Sequence, residues 1–138
     1  MYRLHMHVSV PDMDEAIRFY GNLFNAPPTT ARDDYAKWLL DDPRINFAVS
    51  LNTSPDRTGL DHVGIQADTR DAFSALDQRL RQNEPTADAE GCVHCCYAIS
   101  DKTSIVDPAG LVWETYVTHG ASEHWKTRPV EPGHPALD

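Results

Sequence analysis

The stretch LHMHVSV at residues 4–10 alternates apolar and polar side chains, which is the two-residue period of a β-strand. Asp12, with Glu15 three positions later, forms a capping-box pattern that predicts the start of a helix. Apolar residues then recur at helical spacing from Met13 until the proline pair at 27–28, which would end the helix. The chain is therefore predicted to open with a strand followed by a helix.

The same order begins again after residue 60. Residues 61–67 read DHVGIQA, which is a strand pattern, and Thr69 stands in position to cap a second helix. His62 occupies the place in this second copy that His5 occupies in the first. Turn signals separate further strand candidates, at 36–40 and 45–51 after the first helix and at 93–99, 102–106 and 111–117 after the second.

This duplication predicts an α+β fold with two tandem βαβββ modules that form a curved mixed sheet. The modules are expected at residues 1–52 and 60–118, joined by a linker at 53–59. Residues 119–138 lack apolar periodicity and are expected to form a flexible tail, in which His119, His124 and His134 would be solvated.

The composition limits the classes of partner. The chain of 138 residues carries 12 basic and 21 acidic side chains, and its net charge of −9 disfavours nucleic acid and anionic membrane surfaces. The amino terminus lacks the apolar core of a signal peptide, so a cytoplasmic location is expected. The oligomeric state is left open, with a homodimer among the options.

All three cysteines of the chain fall within the segment CVHCCY at residues 92–97. Cys95 and Cys96 are adjacent, and two thiolates are the ligands that a soft ion such as trivalent arsenic, cadmium or mercury prefers. The alternative is that the cysteines act as small buried apolar residues. Adjacent residues on an ideal strand point to opposite faces, so chelation by both thiols requires a twist, a bulge or a loop there.

His5, His62 and Glu114 are the candidate metal ligands. Each histidine lies near the start of one repeat, and a carboxylate on a central strand is costly to bury unless a cation or hydrogen-bond donors meet it. Two imidazoles and one carboxylate form the facial arrangement of non-heme ferrous oxygenases. His7 shares a strand face with His5, but the repeat aligns His5 with His62, so His7 is assigned to the surroundings of the metal or to the substrate pocket.

With these motifs the chain resembles the vicinal oxygen chelate superfamily, which includes glyoxalases, extradiol dioxygenases and bleomycin-resistance proteins. The resemblance spans residues 1 to 118 and rests on LHMHV at 4–8, LDHVGI at 60–65 and DPAGLVWE at 107–114. Within it, CCYA at 95–98 followed by Asp101 and Lys102 is similar to the carbon–arsenic lyases of the ArsI type and to cadmium-induced proteins.

The resemblance implies an iron(II)-dependent enzyme that uses molecular oxygen to cleave the carbon–arsenic bond of trivalent organoarsenicals and releases arsenite. It implies that His5, His62 and Glu114 bind the iron and that Cys95 and Cys96 bind the arsenic. Five further residues are expected around the site: His7, Cys92, His94, Tyr97 and Lys102. Ser104 departs from the family pattern, which has an aromatic residue there.

Two alternatives remain open. A glyoxalase- or epimerase-like metalloenzyme would use the same fold but would require a fourth protein ligand or a general base. A binding protein would sequester cadmium or arsenicals through Cys95 and Cys96 without turnover. Oxygen uptake would separate both from the dioxygenase.

Overall fold

The structure is a computed structural model that describes the backbone of residues 1–95, 98–121 and 129–130, and the side chains of residues 1–87 and 100–119. Its elements are β1 (Tyr2–Val10), α1 (Met13–Phe24), β2 (Thr30–Arg32), β3 (Tyr35–Asp41), β4 (Arg44–Leu51), a 3₁₀ turn (Pro55–Arg57), β5 (Gly59–Ala67), α2 (Arg70–Asn83), β6 (Asp88–Cys95), β7 (Ala98–Val106), β8 (Val112–Ala121) and β9 (Pro129–Val130). Among the described residues, no helix is long and apolar enough to cross a membrane.

Both helices begin where the sequence predicts. The Asp12 carboxylate accepts a hydrogen bond of 3.0 Å from the backbone N–H of Glu15, and the Thr69 hydroxyl accepts one of 3.1 Å from that of Ala72. These side chains satisfy backbone donors that have no partner inside the first turn of a helix. The two predicted caps are therefore confirmed, and they fix the start of each helix directly after a strand.

The chain divides into two compact units, of which the first is Leu4–Val63. Its strand order is β2-β3-β4-β1, with β3 antiparallel to β4 and β1 parallel to β4. One face of α1 packs on these strands and buries a shared apolar core, formed by Val10, Met13, Ala16, Ala36, Trp38, Ile45, Phe47 and Val49. The polar residues of β1 that alternate with its apolar ones, His5, His7 and Ser9, are also buried.

The second unit contains Met1–Arg3 and the described residues from Gly64 onward, with the strand order β5-β8-β7-β6-β9. Strands β6, β7 and β8 pair antiparallel. Helix α2 packs on this sheet through Phe73, which joins Ala67 and Val117 in a buried cluster. The side chain of Thr103 on β7 also donates a hydrogen bond to Asp77 on α2.

Gly64 allows β5 and β8 to approach closely. A Cβ at this position would overlap the carbonyl oxygen of Glu114 and would lie 3.1 Å from its carbonyl carbon. Any other residue would therefore push against the backbone of β8, which cannot move aside as a flexible side chain could. The glycine helps to set where Glu114 lies along the sheet.

The element order confirms the α+β prediction, since strand, helix and three strands occur twice and the sheet pairings are mixed. Two strand predictions are wrong. Residues 93–99 are not one strand, because β6 ends at Cys95 and the antiparallel β7 starts at Ala98. Residues 102–106 do not form a strand of their own, because they are the second half of β7, which continues through the polar pair Ser100 and Asp101. The pairing of β7 with β8 is irregular between Ile99 and Ser100.

Several boundaries also differ from the expected ones. The short strand β2 precedes the first predicted strand after α1. Strand β8 extends to Ala121 and β9 follows at Pro129–Val130, so part of the expected tail pairs in the sheet. The first half of β5 belongs to the unit Leu4–Val63. The module bounds 1–52 and 60–118 and the linker 53–59 stay predictions.

Candidate metal centre

Three buried histidines come together within the unit Leu4–Val63. His5 and His7 lie on β1 and His62 lies on β5, and their exposed fractions are 7%, 2% and 8%. Each offers a ring nitrogen, and the three nitrogens all lie within 4.8 Å of one another. Imidazole nitrogens at this spacing and depth form a candidate site for a transition metal.

Hydrogen bonds set the ring orientation of His5 and His62. The Nδ1 atom of His5 lies 3.1 Å from the backbone carbonyl oxygen of Asn46, and the Nδ1 atom of His62 lies 2.7 Å from Oδ2 of Asp61. Carbonyl and carboxylate oxygens only accept hydrogen bonds, so both Nδ1 atoms donate a proton. In each neutral ring the Nε2 atom then carries a lone pair, and this is the nitrogen that can bind a metal.

These two Nε2 atoms lie 3.2 Å apart. Two lone pairs at this distance repel each other unless a proton or a cation lies between them. An ion with metal–nitrogen bonds of about 2.0–2.1 Å holds neighbouring nitrogens about 2.8–3.4 Å apart, depending on octahedral or tetrahedral geometry. The measured spacing lies inside this range, so His5 and His62 fit a metal ion.

His7 belongs to the same cluster. Its Nε2 atom lies 2.7 Å from the Ser50 hydroxyl on β4, and its ring centre is 4.9 Å from that of His62. The repeat alignment favours His5 over His7 as the counterpart of His62, whereas the period of the strand puts positions 5 and 7 on one face, and the structure brings all three rings together. The predicted role of His7, in the surroundings of the metal or in the substrate pocket, stays a prediction.

Glu114 lies on β8 in the other unit, where its Oε2 atom accepts a hydrogen bond of 2.9 Å from the Lys102 ammonium. The Glu114 side chain is 16% exposed and that of Lys102 is 7% exposed. The ammonium also lies 5.5 Å from the centre of the Tyr116 ring, within reach of a cation–π contact. Ser104 is directly opposite Glu114 in the β7–β8 ladder. The ligand set His5, His62 and Glu114 stays a prediction.

Of the two residues expected to bind arsenic, Cys96 lies outside the described residues, and so does the side chain of Cys95. Among the residues expected around the site, Tyr97 and the side chains of Cys92 and His94 also lie outside the described part of the chain. The backbone places Cys95 at the end of β6. The roles predicted for these residues remain predictions.

His119 is part of strand β8 and not of a solvated tail. Its Nε2 atom lies 2.8 Å from Oδ2 of Asp101 on β7, and Arg70 on α2 approaches the same carboxylate at 3.5 Å. The prediction of a solvated tail position for His119 was wrong. The apolar alternation ends before this residue, but the backbone of β8 continues to pair with β7 beyond it. His124 and His134 lie outside the described residues.

The repeated strand–helix–strand plan, with three buried imidazoles that converge within the unit Leu4–Val63, is that of an α+β protein able to hold a metal ion. The model of the Glyoxalase/Bleomycin resistance protein/Dioxygenase superfamily matches residues 3–115. The chain therefore belongs to this superfamily.

The chain is also similar in sequence to individual curated proteins. The chain is 34% identical over 126 residues to the "Trivalent organoarsenical cleaving enzyme" of Bacillus sp. (strain MD1), covering 91% of this chain and 78% of the relative. It is 30% identical over 129 residues to the "Cadmium-induced protein CadI" of Mycobacterium tuberculosis, covering 94% and 84%. A solved glyoxalase/bleomycin resistance protein/dioxygenase superfamily member from Vibrio splendidus 12B01 has a TM-score of 0.56 at 16% identity, covering 85% and 99%, and supports the fold alone.

Proposed function

We propose that this protein is an iron(II)-dependent dioxygenase that cleaves the carbon–arsenic bond of trivalent organoarsenicals and releases arsenite. The proposal depends above all on the pair of Nε2 atoms of His5 and His62, 3.2 Å apart and buried, in a chain similar to trivalent organoarsenical cleaving enzymes. His5, His62 and Glu114 would hold the iron. Bound iron(II) would supply the activation of molecular oxygen beside the carbon–arsenic bond.

Side chains of this protein would bind and orient the arsenical and would orient the metal ligands. Cys95 and Cys96 would bind the arsenic as thiolates, because soft sulfur ligands prefer a soft centre. Binding in this way would orient the carbon–arsenic bond and would replace a bimolecular encounter with one inside the complex. Asn46 and Asp61 would keep the metal-binding nitrogens of His5 and His62 directed into the site.

A decisive test combines oxygen uptake with arsenic speciation. The protein is loaded with iron(II) without oxygen and given methylarsonous acid, and oxygen is then admitted to one half of the sample. The proposal expects arsenite only in the half with oxygen, together with oxygen consumption. Arsenical that stays bound and intact in both halves would mean sequestration, and would contradict catalysis.

The thiol variants provide a matched set. Cys95→Ser and Cys96→Ser should each lose binding of the arsenical while retaining iron, because a serine hydroxyl is a hard ligand with a high pKa. Cys92→Ser, which lies outside the adjacent pair, should be milder. Normal arsenical binding in both of the first two variants would remove the arsenic site from the proposal.

His7 favours one second candidate, a glyoxalase- or epimerase-like metalloenzyme. Such an enzyme would use a fourth protein ligand, and His7 lies within reach of the other two histidines. It would transfer protons and would consume no oxygen. Turnover of a hemithioacetal or an acyl thioester without oxygen uptake would therefore identify this activity and exclude the dioxygenase.

A further inference from the structure

We infer that His7 is a metal ligand, and that His5, His7 and His62 together form a three-imidazole site that binds a divalent ion even without Glu114. The inference rests on the proposed function only in placing the ion at His5 and His62. It does not depend on which reaction the protein catalyses.

The position of His7 is the first support. Its ring is 2% exposed, so the cluster lies away from bulk water, and its ring centre is 4.9 Å from that of His62 and 6.3 Å from that of His5. The ligand nitrogens of all three rings lie within 4.8 Å of one another. A shared cation would relieve the repulsion between the lone pairs of His5 and His62, and a nitrogen of His7 lies close enough to bind the same ion.

Ser50 supplies the second support, because it can hold the His7 ring in a metal-binding tautomer. The Ser50 hydroxyl is buried and lies 2.7 Å from Nε2 of His7. When Nε2–H donates to this hydroxyl, Nδ1 carries the lone pair that would bind the ion. Each of the three histidines then has one ring nitrogen with a hydrogen-bond partner, as is usual for metal-ligating histidines.

The donor set also indicates which ions would bind. Imidazole suits zinc, copper, iron and nickel, whereas carboxylate and carbonyl oxygens suit magnesium, calcium and manganese. Three imidazole nitrogens are the kind of ligand set that zinc accepts, so the three-imidazole site should still bind zinc when Glu114 is neutralised.

Cobalt(II) is the probe for the test, because it reports the number of histidine ligands. In the cobalt-loaded protein, each bound imidazole should give one strongly shifted, exchangeable ring N–H signal in the proton NMR spectrum. We expect three such signals in the wild type, since three histidines ligate, and two in His7→Gln. Two signals in the wild type would overturn the inference, and this measurement requires no variant to fold.

Affinity for zinc, measured by competition with a chelator, gives the second readout. Loss of a hydrogen-bond partner of a ligand typically weakens binding by roughly 10–100-fold, so loss of the ligand itself in His7→Gln should weaken it by more than about 100-fold. Ser9→Ala, a buried polar change two positions along β1, is the matched control and should bind as the wild type does. Circular dichroism would verify that both variants fold.

Glu114→Gln separates the inference from the proposed function. We expect this variant to bind one equivalent of zinc and to lose organoarsenical cleavage. If it binds no zinc while His7→Gln binds normally, the inference fails and the ligand set His5, His62 and Glu114 stands. If it binds zinc and still cleaves the arsenical, the role of Glu114 in the proposed function fails and the three-imidazole site stands.

Discussion

The Lys102 ammonium lies 2.9 Å from Oε2 of Glu114, and both side chains are largely buried. Removing one partner of a buried ion pair leaves an uncompensated charge, which is more costly than removing both. Lys102→Met should therefore lower the free energy of unfolding of the metal-free protein by about 1–3 kcal/mol, less than for a fully buried pair because Glu114 keeps some contact with water.

The double variant Lys102→Met/Glu114→Gln provides the control for this prediction. It removes both charges and should be more stable than Lys102→Met alone. Urea denaturation of the four proteins of this cycle, with a chelator present, measures the coupling between the two residues. A double variant that is less stable than either single variant would show that the two side chains act separately.

Asp61 is expected to act on metal binding more than on stability. Its side chain is 46% exposed, so its contact with His62 contributes little to folding, but it holds the ring through Nδ1 at a distance of 2.7 Å. Asp61→Ala should weaken zinc binding by roughly 10–100-fold. Asp61→Asn should weaken it less, because the amide oxygen can still accept the Nδ1 proton.

Zinc titration against a competing chelator measures this effect. Asp56→Ala, in the 3₁₀ turn that precedes β5, is a matched loss of an exposed carboxylate and should bind zinc normally. Equal affinities in Asp61→Ala and Asp56→Ala would mean that the carboxylate does not orient His62.

A side chain at position 64 is expected to destabilise the protein. In Gly64→Ala the new Cβ overlaps the Glu114 carbonyl, and added volume at a close contact usually costs about 1–3 kcal/mol. We expect the upper end of this range, because the obstacle is backbone. Gly21→Ala is the control, since a Cβ there meets its nearest neighbour at 3.6 Å and alanine favours a helix by about 1 kcal/mol. Chemical denaturation should show opposite signs for the two variants.

Asp107 should make stability depend on acid pH. Hydrogen bonds to its carboxylate from the backbone N–H of Leu111, from the Trp113 ring and from the backbone N–H of Ala109 hold its pKa below the usual 3.8. Because the pKa of Asp107 is lower in the folded protein than in the unfolded chain, this stabilisation is fully present when the pH is above the pKa of the unfolded chain. It is lost as the pH falls through the folded pKa.

The Asp107→Ala variant should be less stable than the wild type at pH 7, and the difference should shrink at acid pH. Asp107→Asn should lose less, because its amide oxygen can still accept the backbone hydrogen bonds of the turn. Thermal unfolding at a series of pH values between about 2 and 7 measures both effects, because aspartate ordinarily titrates within this interval. A difference that is independent of pH would contradict this account.

The fold could be predicted in outline because its signals are local. The alternation of residues 4–10 and the caps Asp12 and Thr69 act through neighbouring residues, and the structure confirms them. Strand β7 was divided wrongly because Ser100 and Asp101 interrupt the apolar pattern, although their backbone groups still pair with β8. Pairing depends on the partner strand, which a single-strand pattern does not report.

The candidate site was only partly predictable for a similar reason. Repeat alignment brings His5 and His62 to equivalent places, but it selects one residue per repeat and so assigns His7 only to the surroundings of the metal or to the substrate pocket. The contacts of His7 with Ser50 and His62 join β1 to β4 and β5, which come much later in the sequence. The pairing of Glu114 with Lys102 likewise depends on the register between β7 and β8.

The two hydrogen bonds that orient His5 and His62 differ in whether a point mutation can remove the acceptor. The partner of His62 is a carboxylate, which a single codon change can delete or replace, so evolution can adjust that side of the site step by step. The partner of His5 is the peptide carbonyl of Asn46, which every amino acid retains. A substitution at position 46 that leaves the β4 backbone in place would therefore keep the acceptor of His5, whereas a substitution at position 61 can remove the acceptor of His62.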